Sequence, residues 1–394
     1  MINRLLRRFG YELRRSAQIG ARSATATVPA RGDERGRVLL SYVLDPFLVD
    51  GPDQISHDHT HHWESWQIAQ TFAQHGYTVD VVHYDDRRFV PERPYAALVS
   101  SRIELERLAG HLPENCLKIA HLDTAHFLTN NAGALSRLLS ARERHGVALR
   151  SPRMVEENWA IEAADMGCVL GNQFTADSYA YAGKPIFRIP ISSPRTYDWP
   201  ADKDFEQVRR HFLWFGSGGL VHKGLDRVLT VFRDLPDFRL HVCGPLERET
   251  RFRDAFATEL ERTPNIENHG WVDIAEPAFT AIAAECVATV YPSASEGGGG
   301  STLTCMHAGL IPVVTAEASV DIGDFGLLCE DASLETIRSR VTELAEWPAE
   351  TLRARARAAW EFAREHHTRE SFARAYDDFV KSVVLPELDR RRAG

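Results

Sequence analysis

Short apolar strands alternate with helical stretches along most of the chain, and this alternation occurs twice. The first set begins at a strand over residues 37–43 and ends at 186–189, and the second begins at 212–215 and ends at 326–329. Strands that alternate with helices predict parallel sheets covered on both faces. The stretch 190–204 lacks periodicity and contains three prolines, so it is the best boundary between two α/β domains.

Net charge, cysteine spacing and hydropathy limit the ligands and the compartment that the chain is expected to have. The net charge of −9 argues against general nucleic-acid binding, because the chain has no basic excess to neutralise a phosphate backbone. The six cysteines are scattered without a C-x-x-C pair, which favours free buried thiols in a reducing cytoplasm. No apolar run is long enough to cross a bilayer, and none resembles a signal peptide.

The N-terminus is basic and amphipathic. Over residues 1–18, apolar residues recur at helical spacing among five arginines, a pattern typical of a helix on an anionic membrane surface. A helix packed on the protein's own body is the alternative. We therefore expect a cytoplasmic protein, with peripheral contact at the inner face of the membrane as an option. Residues 19–36 lack apolar periodicity and are interpreted as a linker.

The stretch 290–315 carries the strongest local signal. A buried strand ends at Tyr291, a loop then holds Glu296 and four consecutive glycines (297–300), and a helix is expected over about 301–308. Consecutive glycines suit a backbone that passes close to something else, and the N-terminus of the following helix favours an anion such as a phosphate. A flexible surface loop is the alternative interpretation.

These residues resemble a known family. The pairs Pro292-Ser293 and Glu296-Gly297, the helix residues 306–309 and the strand 312–314 are similar to the C-terminal signature of the retaining, two-domain glycosyltransferases (glycosyltransferase family 4, group 1). The stretch 212–226, FLWFGSGGLVHKGLD, resembles the first strand and donor-phosphate loop of that family's second domain. The match runs through about 213–328 and is weaker over the N-terminal half.

The resemblance implies a fold and a separate binding role for each domain. It implies the GT-B architecture: two Rossmann-like, doubly wound domains facing a cleft, with a C-terminal helix that crosses back to the first domain. The N-terminal domain (37–195) would take the acceptor and the C-terminal domain (205–366) the nucleotide-sugar donor. Residues 367–394 would form the crossover helix and tail.

Two positions depart from the family pattern. Thr304 stands where the family usually has a second glutamate, which would hold the donor ribose, and Ser217 stands where it usually has an arginine, which would hold the diphosphate. These departures leave donor identity and activity open.

By resemblance, Glu296 lies against the donor sugar, and a histidine of the first domain, for which we choose His121, lies beside it. Lys223 and the adjacent helix N-terminus would bind the diphosphate, and Trp271 would stack on the base or pack a domain edge. The expected donor-binding positions are Gly216, Ser217, Gly218, Gly219, Lys223, Gly244, Trp271, Val272, Gly297, Gly298, Gly299, Gly300, Ser301, Thr302 and Thr304. The alternatives are that Glu296 is a solvated loop carboxylate and that Lys223 is an exposed surface lysine.

Histidines mark the first domain. The loop after the first strand contains His57, His59, His61 and His62, and His126 follows a later strand. Histidines packed this closely in one loop lack the spread spacing of a closed zinc site. We interpret them as acceptor-side candidates, and we expect neither a metal nor a cofactor.

Three functions remain in view. The leading one is a retaining glycosyltransferase that uses a nucleoside-diphosphate sugar and a glycan or lipid-linked acceptor in surface-polysaccharide assembly, with the leaving phosphate taking the acceptor proton. The second is a nucleotide-sugar epimerase of the same architecture, which would need a general acid/base pair. The third is a non-catalytic relative that binds a glycan or a partner transferase, which Ser217 and Thr304 favour.

Overall fold

The structure is a computed structural model, and it describes residues 24–57 and 59–393. The expected membrane-facing helix over residues 1–18 and the residue Asp58 lie outside this part of the chain. None of the helices in the described part is both long and apolar enough to cross a membrane.

A seven-stranded sheet forms the first domain. Its strand order is β1-β3-β2-β4-β5-β6-β7, and every neighbouring pair is parallel except β1 and β3. The strands are β1 (Thr25–Val28), β2 (Gly36–Tyr42), β3 (Tyr77–His83), β4 (Ala97–Ser101), β5 (Leu117–Leu122), β6 (Met166–Leu170) and β7 (Ile186–Ile189). The helices are α1 (Thr60–Gln74), α2 (Leu105–Ala109), α3 (Phe127–His145), α4 (Ala160–Ala163) and α5 (Gln173–Asp177).

A six-stranded, wholly parallel sheet forms the second domain, in the order β10-β9-β8-β11-β12-β13. Its strands are β8 (His211–Phe215), β9 (Arg239–Cys243), β10 (Ile266–Gly270), β11 (Ala288–Tyr291), β12 (Ile311–Thr315) and β13 (Leu327–Cys329). Its helices are α6 (Leu225–Arg233), α7 (Thr250–Ala255), α8 (Ala257–Arg262), α9 (Pro277–Ala284), α10 (Gly300–His307), α11 (Leu334–Ala345) and α12 (Ala349–His366).

Both faces of each sheet are buried, as parallel strands require. In β2, Val38 and Leu40 pack into a core on one face, and Leu39 packs into a separate core on the other. In β8, Phe212 and Leu213 divide between two faces in the same way.

The chain ends by crossing back to the first domain. Helix α13 (Arg369–Phe379) continues through a π-helical turn (Val380–Val384) into α14 (Leu385–Ala393). The rings of Phe372 and Tyr376 are fully buried in the first domain's core, where Tyr376 contacts Phe72 of α1. The predicted GT-B architecture, including the crossover helix, is confirmed.

One local prediction is corrected. The predicted linker 19–36 contains β1, an edge strand whose four residues are too few to show a period and which backbone pairing with β3 stabilises. In the first domain, the side chain of His126 caps the N-terminus of α3. In the second domain, α7 and α8 meet at Phe256, whose buried ring stacks on Phe252.

Candidate functional site

A cavity of about 370 Å³ lies in the cleft between the two domains. Loops that follow the carboxyl ends of strands from both sheets line it. These sheets change direction of winding between β2 and β4 and between β8 and β11, which is where ligands bind in open α/β folds. The predicted site residues that line the cavity are His57, His59, His61, Gly216, Ser217, Lys223, Trp271, Val272, Glu296, Gly297, Gly298, Gly299, Gly300, Ser301 and Thr304.

The four-glycine loop passes close to its neighbours. A Cβ added to Gly297 would lie 1.8 Å from the main-chain oxygen of Asp123 in the first domain, and one added to Gly299 would lie 2.0 Å from a methyl group of Val320. Gly299 also adopts a φ of 62°, in the left-handed region. A Cβ on Gly300 would meet nothing within 4 Å. The glycines therefore let the loop contact the first domain while its last residue opens helix α10.

A buried ion pair lies at the mouth of this loop. Lys223 Nζ is 2.6 Å from Glu296 Oε1 and 2.5 Å from the hydroxyl of Tyr291. The hydroxyls of Tyr291 and Ser293 each donate to the same carboxylate oxygen, both at 3.0 Å. Burial opposes ionisation of Glu296, but Lys223 and then Arg153 outweigh it and lower its pKa to about 2. Glu296 is therefore an anion held in a fixed position by four groups.

The loop after β8 is already occupied by a carboxylate. The backbone N–H groups of Gly219 and Leu220 donate to Glu249, at 2.5 Å for Gly219. The N–H of Gly216 donates to the carbonyl of Cys243. The backbone of this loop thus binds a carboxylate, and a side chain of the protein itself fills the part formed by Gly219 and Leu220.

Both positions that depart from the family pattern line the cavity. Ser217 lines the cavity. Thr304 also lines it, but its hydroxyl donates to the carbonyl of Gly300 one turn earlier in the same helix, at 2.8 Å. Thr302 is 1% exposed, and its hydroxyl has no hydrogen-bond partner among the described residues.

Of the residues expected near the base, Trp271 and Val272 line the cavity and Gly244 does not. Trp271 is 61% exposed and lines the cavity together with Val272 and Phe215, and the guanidinium of Arg248 lies 5.9 Å from its ring centre. Gly244 instead packs against Trp214, since a Cβ there would lie 2.8 Å from that ring. A flat indole face open to the cleft suits stacking on an aromatic ligand.

Three of the histidines expected on the acceptor side lie in the cleft. His57, His59 and His61 line the cavity. Desolvation by the surrounding protein lowers the pKa of His59 to about 4, and the neighbouring His62 acts in the same direction. Burial lowers the pKa of His61 well below its ordinary value. Both rings are therefore neutral near pH 7.

The expectation that His121 and His126 project into the cleft is corrected. His121 is fully buried in β5, where it contacts the Sγ of Cys168 at 3.3 Å and the ring of Tyr42. His126 caps helix α3 through its Nδ1 and contacts the hydroxyl of Tyr181. Strand alternation turns the first into the core, and the helix start holds the second.

One cluster of described residues has the composition of a metal site. The ligand atoms of His241, Glu267 and His269 lie within 4.8 Å of one another. However, Nδ1 of His241 is 3.0 Å from Nε2 of His269, and the two rings are nearly coplanar with centres 5.3 Å apart. The two nitrogens thus point at each other, as in an N–H···N hydrogen bond, and not at a common point where an ion would sit.

Several lining residues escaped the sequence reasoning. Arg153 lies in an irregular loop of the first domain, and its guanidinium is 3.6 Å from Glu296. Asp123 forms an ion pair with Arg102 and lies 3.9 Å from His61. Asp123 directly follows a strand, so its position at a carboxyl end was a usable signal. No pattern in the sequence marks Arg153, because only the packing of the two domains brings it to the site.

One family model and several solved structures match the chain. The family model described as Glycosyl transferases group 1 matches residues 209–346. No curated protein matches the chain in sequence.

Solved structures match over most of the chain. Sucrose-phosphate synthase from Thermosynechococcus elongatus aligns with a TM-score of 0.59 at 12% identity, covering 90% of this chain and 100% of that one. HepE of Anabaena in complex with UDP and glucose gives a TM-score of 0.55 at 10% identity, covering 88% of this chain and 100% of that one.

Two further structures extend the comparison. WaaG, a glycosyltransferase involved in lipopolysaccharide biosynthesis, gives 0.53 at 15% identity, covering 86% and 98%. TarM gives 0.50 at 13%, covering 74% of this chain, which spans only 54% of TarM. The chain therefore has the GT-B fold, and its residues 209–346 match the Glycosyl transferases group 1 domain.

Proposed function

We propose that the protein transfers a sugar from a nucleoside-diphosphate sugar, bound by the second domain (205–366), to an acceptor bound by the first (37–195). The observation that carries the proposal is the buried pair of Lys223 and Glu296 beside the N-terminus of α10, inside the cleft between the two sheets. Ion pairs are costly to bury, so one that faces a cavity points to chemistry there rather than to stability.

Each group of the pair has a role in this reaction. Lys223 and the first N–H groups of α10 stabilise the negative charge that grows on the leaving diphosphate. Glu296, held ionised by its four partners, accepts hydrogen bonds from hydroxyl groups of the donor sugar and stabilises positive charge at the reacting carbon.

The transfer proceeds with retention at the reacting carbon by front-face attack. The acceptor hydroxyl approaches on the side of the leaving group, and an oxygen of the departing phosphate takes its proton. This course needs no second carboxylate base. The neutral rings of His59 and His61 replace His121 as the histidines that orient the acceptor or the sugar.

We propose UDP as the donor nucleotide and surface-polysaccharide assembly as the setting. HepE, which is similar in fold, has been observed with UDP and glucose, and WaaG is involved in lipopolysaccharide biosynthesis. A glycan or lipid-linked acceptor would fit such a role. The protein would then act in the cytoplasm, with the basic segment 1–18 contacting the inner face of the membrane.

A non-catalytic, ligand-binding relative is the second candidate. The hydroxyl of Thr304 is bonded within its own helix, so the residue offers little to a ribose. The four groups that hold the ionised Glu296 in the cleft favour the enzyme instead.

A thermal-shift panel tests the proposal. The purified chain is heated with UDP, GDP, ADP or dTDP and with their common sugar conjugates, since a ligand of the folded state raises the melting temperature by mass action. We expect one nucleotide to stabilise the wild type. The absence of a shift with all of them would contradict donor binding and favour the non-catalytic candidate.

A further inference from the structure

We infer that Arg153 of the first domain is a ligand of the donor's diphosphate, supplied across the cleft to the donor-binding domain. The inference rests on the proposed function and adds to it the group that recognises the second phosphate.

The side chain of Arg153 lies directly on the loop after β8. A Cβ added to Gly219 would be 2.4 Å from Cγ of Arg153 and 3.1 Å from its Cδ. Gly219 has a φ of +95°, so glycine is favoured there on backbone grounds as well. Because Gly219 has no side chain, the aliphatic part of the Arg153 side chain can pack against it.

The guanidinium places a second positive charge beside Glu296. Arg153 is 3.6 Å from Glu296 Oε2, while Lys223 is 2.6 Å from Oε1 of the same carboxylate. Two cations thus flank one carboxylate. Among the described lining residues the remaining arginine, Arg102, is paired with Asp123. An anionic group that enters the cleft is therefore attracted by Lys223 and Arg153.

The neighbouring backbone cannot supply the same contact. Glu249 occupies the N–H groups of Gly219 and Leu220, and Ser217 offers only a neutral hydroxyl. A side-chain cation is therefore needed at this end of the cavity. Arginine suits the task because its planar fork can donate two parallel hydrogen bonds to a phosphate.

Hydrogen bonds hold the backbone of Arg153, while its side chain is partly exposed. Asn130, buried in α3, donates to the carbonyl of Arg153 at 2.7 Å, and the N–H of Arg153 donates to Ser151. Two residues later, Asn131 holds both the N–H and the carbonyl of Val155. The side chain of Arg153 nevertheless remains 39% exposed. Because this anchored residue belongs to the first domain, a diphosphate bound to it and to Lys223 would bridge both domains.

Calorimetric titration with UDP and with UMP tests the inference, because their affinity ratio isolates the second phosphate. If the thermal-shift panel selects another nucleotide, its diphosphate and monophosphate are used instead. We expect Arg153→Ala to bind UDP roughly 10- to 100-fold more weakly while UMP changes less. Arg150→Ala, three residues away at an exposed position, is the matched control and should keep the wild-type ratio.

A second variant separates phosphate binding from support of Glu296. Because position 217 lines the same cavity, the double variant Arg153→Ala/Ser217→Arg should recover UDP affinity. An unchanged ratio in Arg153→Ala would overturn the inference. Equal losses for UDP and UMP without recovery would also overturn it, since they assign Arg153 to holding Glu296. A wild type that binds none of the diphosphates would instead overturn the proposed function itself.

Discussion

At the scale of single residues, Glu296 is the centre of the site. Two cations from different domains hold it ionised, and the hydroxyls of Tyr291 and Ser293 donate hydrogen bonds to it. Because its pKa is lowered below the ordinary 4.5 to about 2, its contribution to stability is complete above pH 4.5 and is lost as the pH falls through 2. The residue thus stays charged throughout the physiological range.

Removing one partner of this pair should be more harmful to stability than removing both charges. Lys223→Met leaves Glu296 buried without its closest cation, and we expect a loss of about 3–5 kcal/mol in the free energy of unfolding. Urea titration at pH 7 measures it. The double variant Lys223→Met/Glu296→Gln should recover much of the loss. If the single and double variants were equally stable, the buried pair would not exist in solution.

At the scale of elements, the loops between strands and helices decide how the domains meet. Helix α1 contacts the interdomain stretch through Glu64, whose Oε1 accepts from the N–H of Ser192 at 2.9 Å and from its hydroxyl at 3.0 Å. Burial raises the pKa of Glu64 from 4.5 to about 7, against the opposing effect of these two bonds. A titratable carboxyl therefore joins α1 to the segment between the domains.

This raised pKa gives stability a definite pH dependence. The folded state holds the proton of Glu64 more tightly than the unfolded state, so its stability falls as the pH rises from 4.5 through 7. Glu64→Gln removes the titration and should be more stable than the wild type at pH 8, by at most ~3 kcal/mol. Urea unfolding at pH 5 and pH 8 compares the two proteins. The same pH dependence in both would contradict the assignment.

The glycine loop should be intolerant of a methyl group at one position and tolerant at another. Gly297→Ala places a Cβ 1.8 Å from the carbonyl oxygen of Asp123, which must push the loop away from the first domain and cost about 1–3 kcal/mol. Gly300→Ala meets no atom within 4 Å and lies in the first turn of α10, so its stability should not fall. Thermal unfolding of both variants checks this, and equal melting temperatures would contradict the close packing of the domains.

At the scale of the whole molecule, the features that depend on repeating patterns were predictable. Alternating strands and helices indicated two parallel sheets. The family resemblance implied the helix that crosses back to the first domain, where Phe372, Tyr376 and Phe379 are buried. The strand β1 was missed, because pairing with β3 stabilises it and its own four residues show no pattern.

The site was predictable only where one segment carried it. The stretch 290–315 indicated Glu296 and the glycine loop, while Lys223 followed from the loop after β8. Arg153 and Glu249 depend on contacts between segments far apart in the chain, as does the burial of His121. Such contacts arise from packing and leave no local signature.

We propose that the cleft turns over a nucleotide-sugar donor at Glu296. The most direct measurement is the rate at which nucleoside diphosphate is released from UDP-glucose and the other donors of the panel, in the wild type and in Glu296→Gln. We expect release by the wild type and a loss of at least about 100-fold in the variant, because the removed charge acts on the transition state. Equal release by both proteins would contradict the assignment of Glu296.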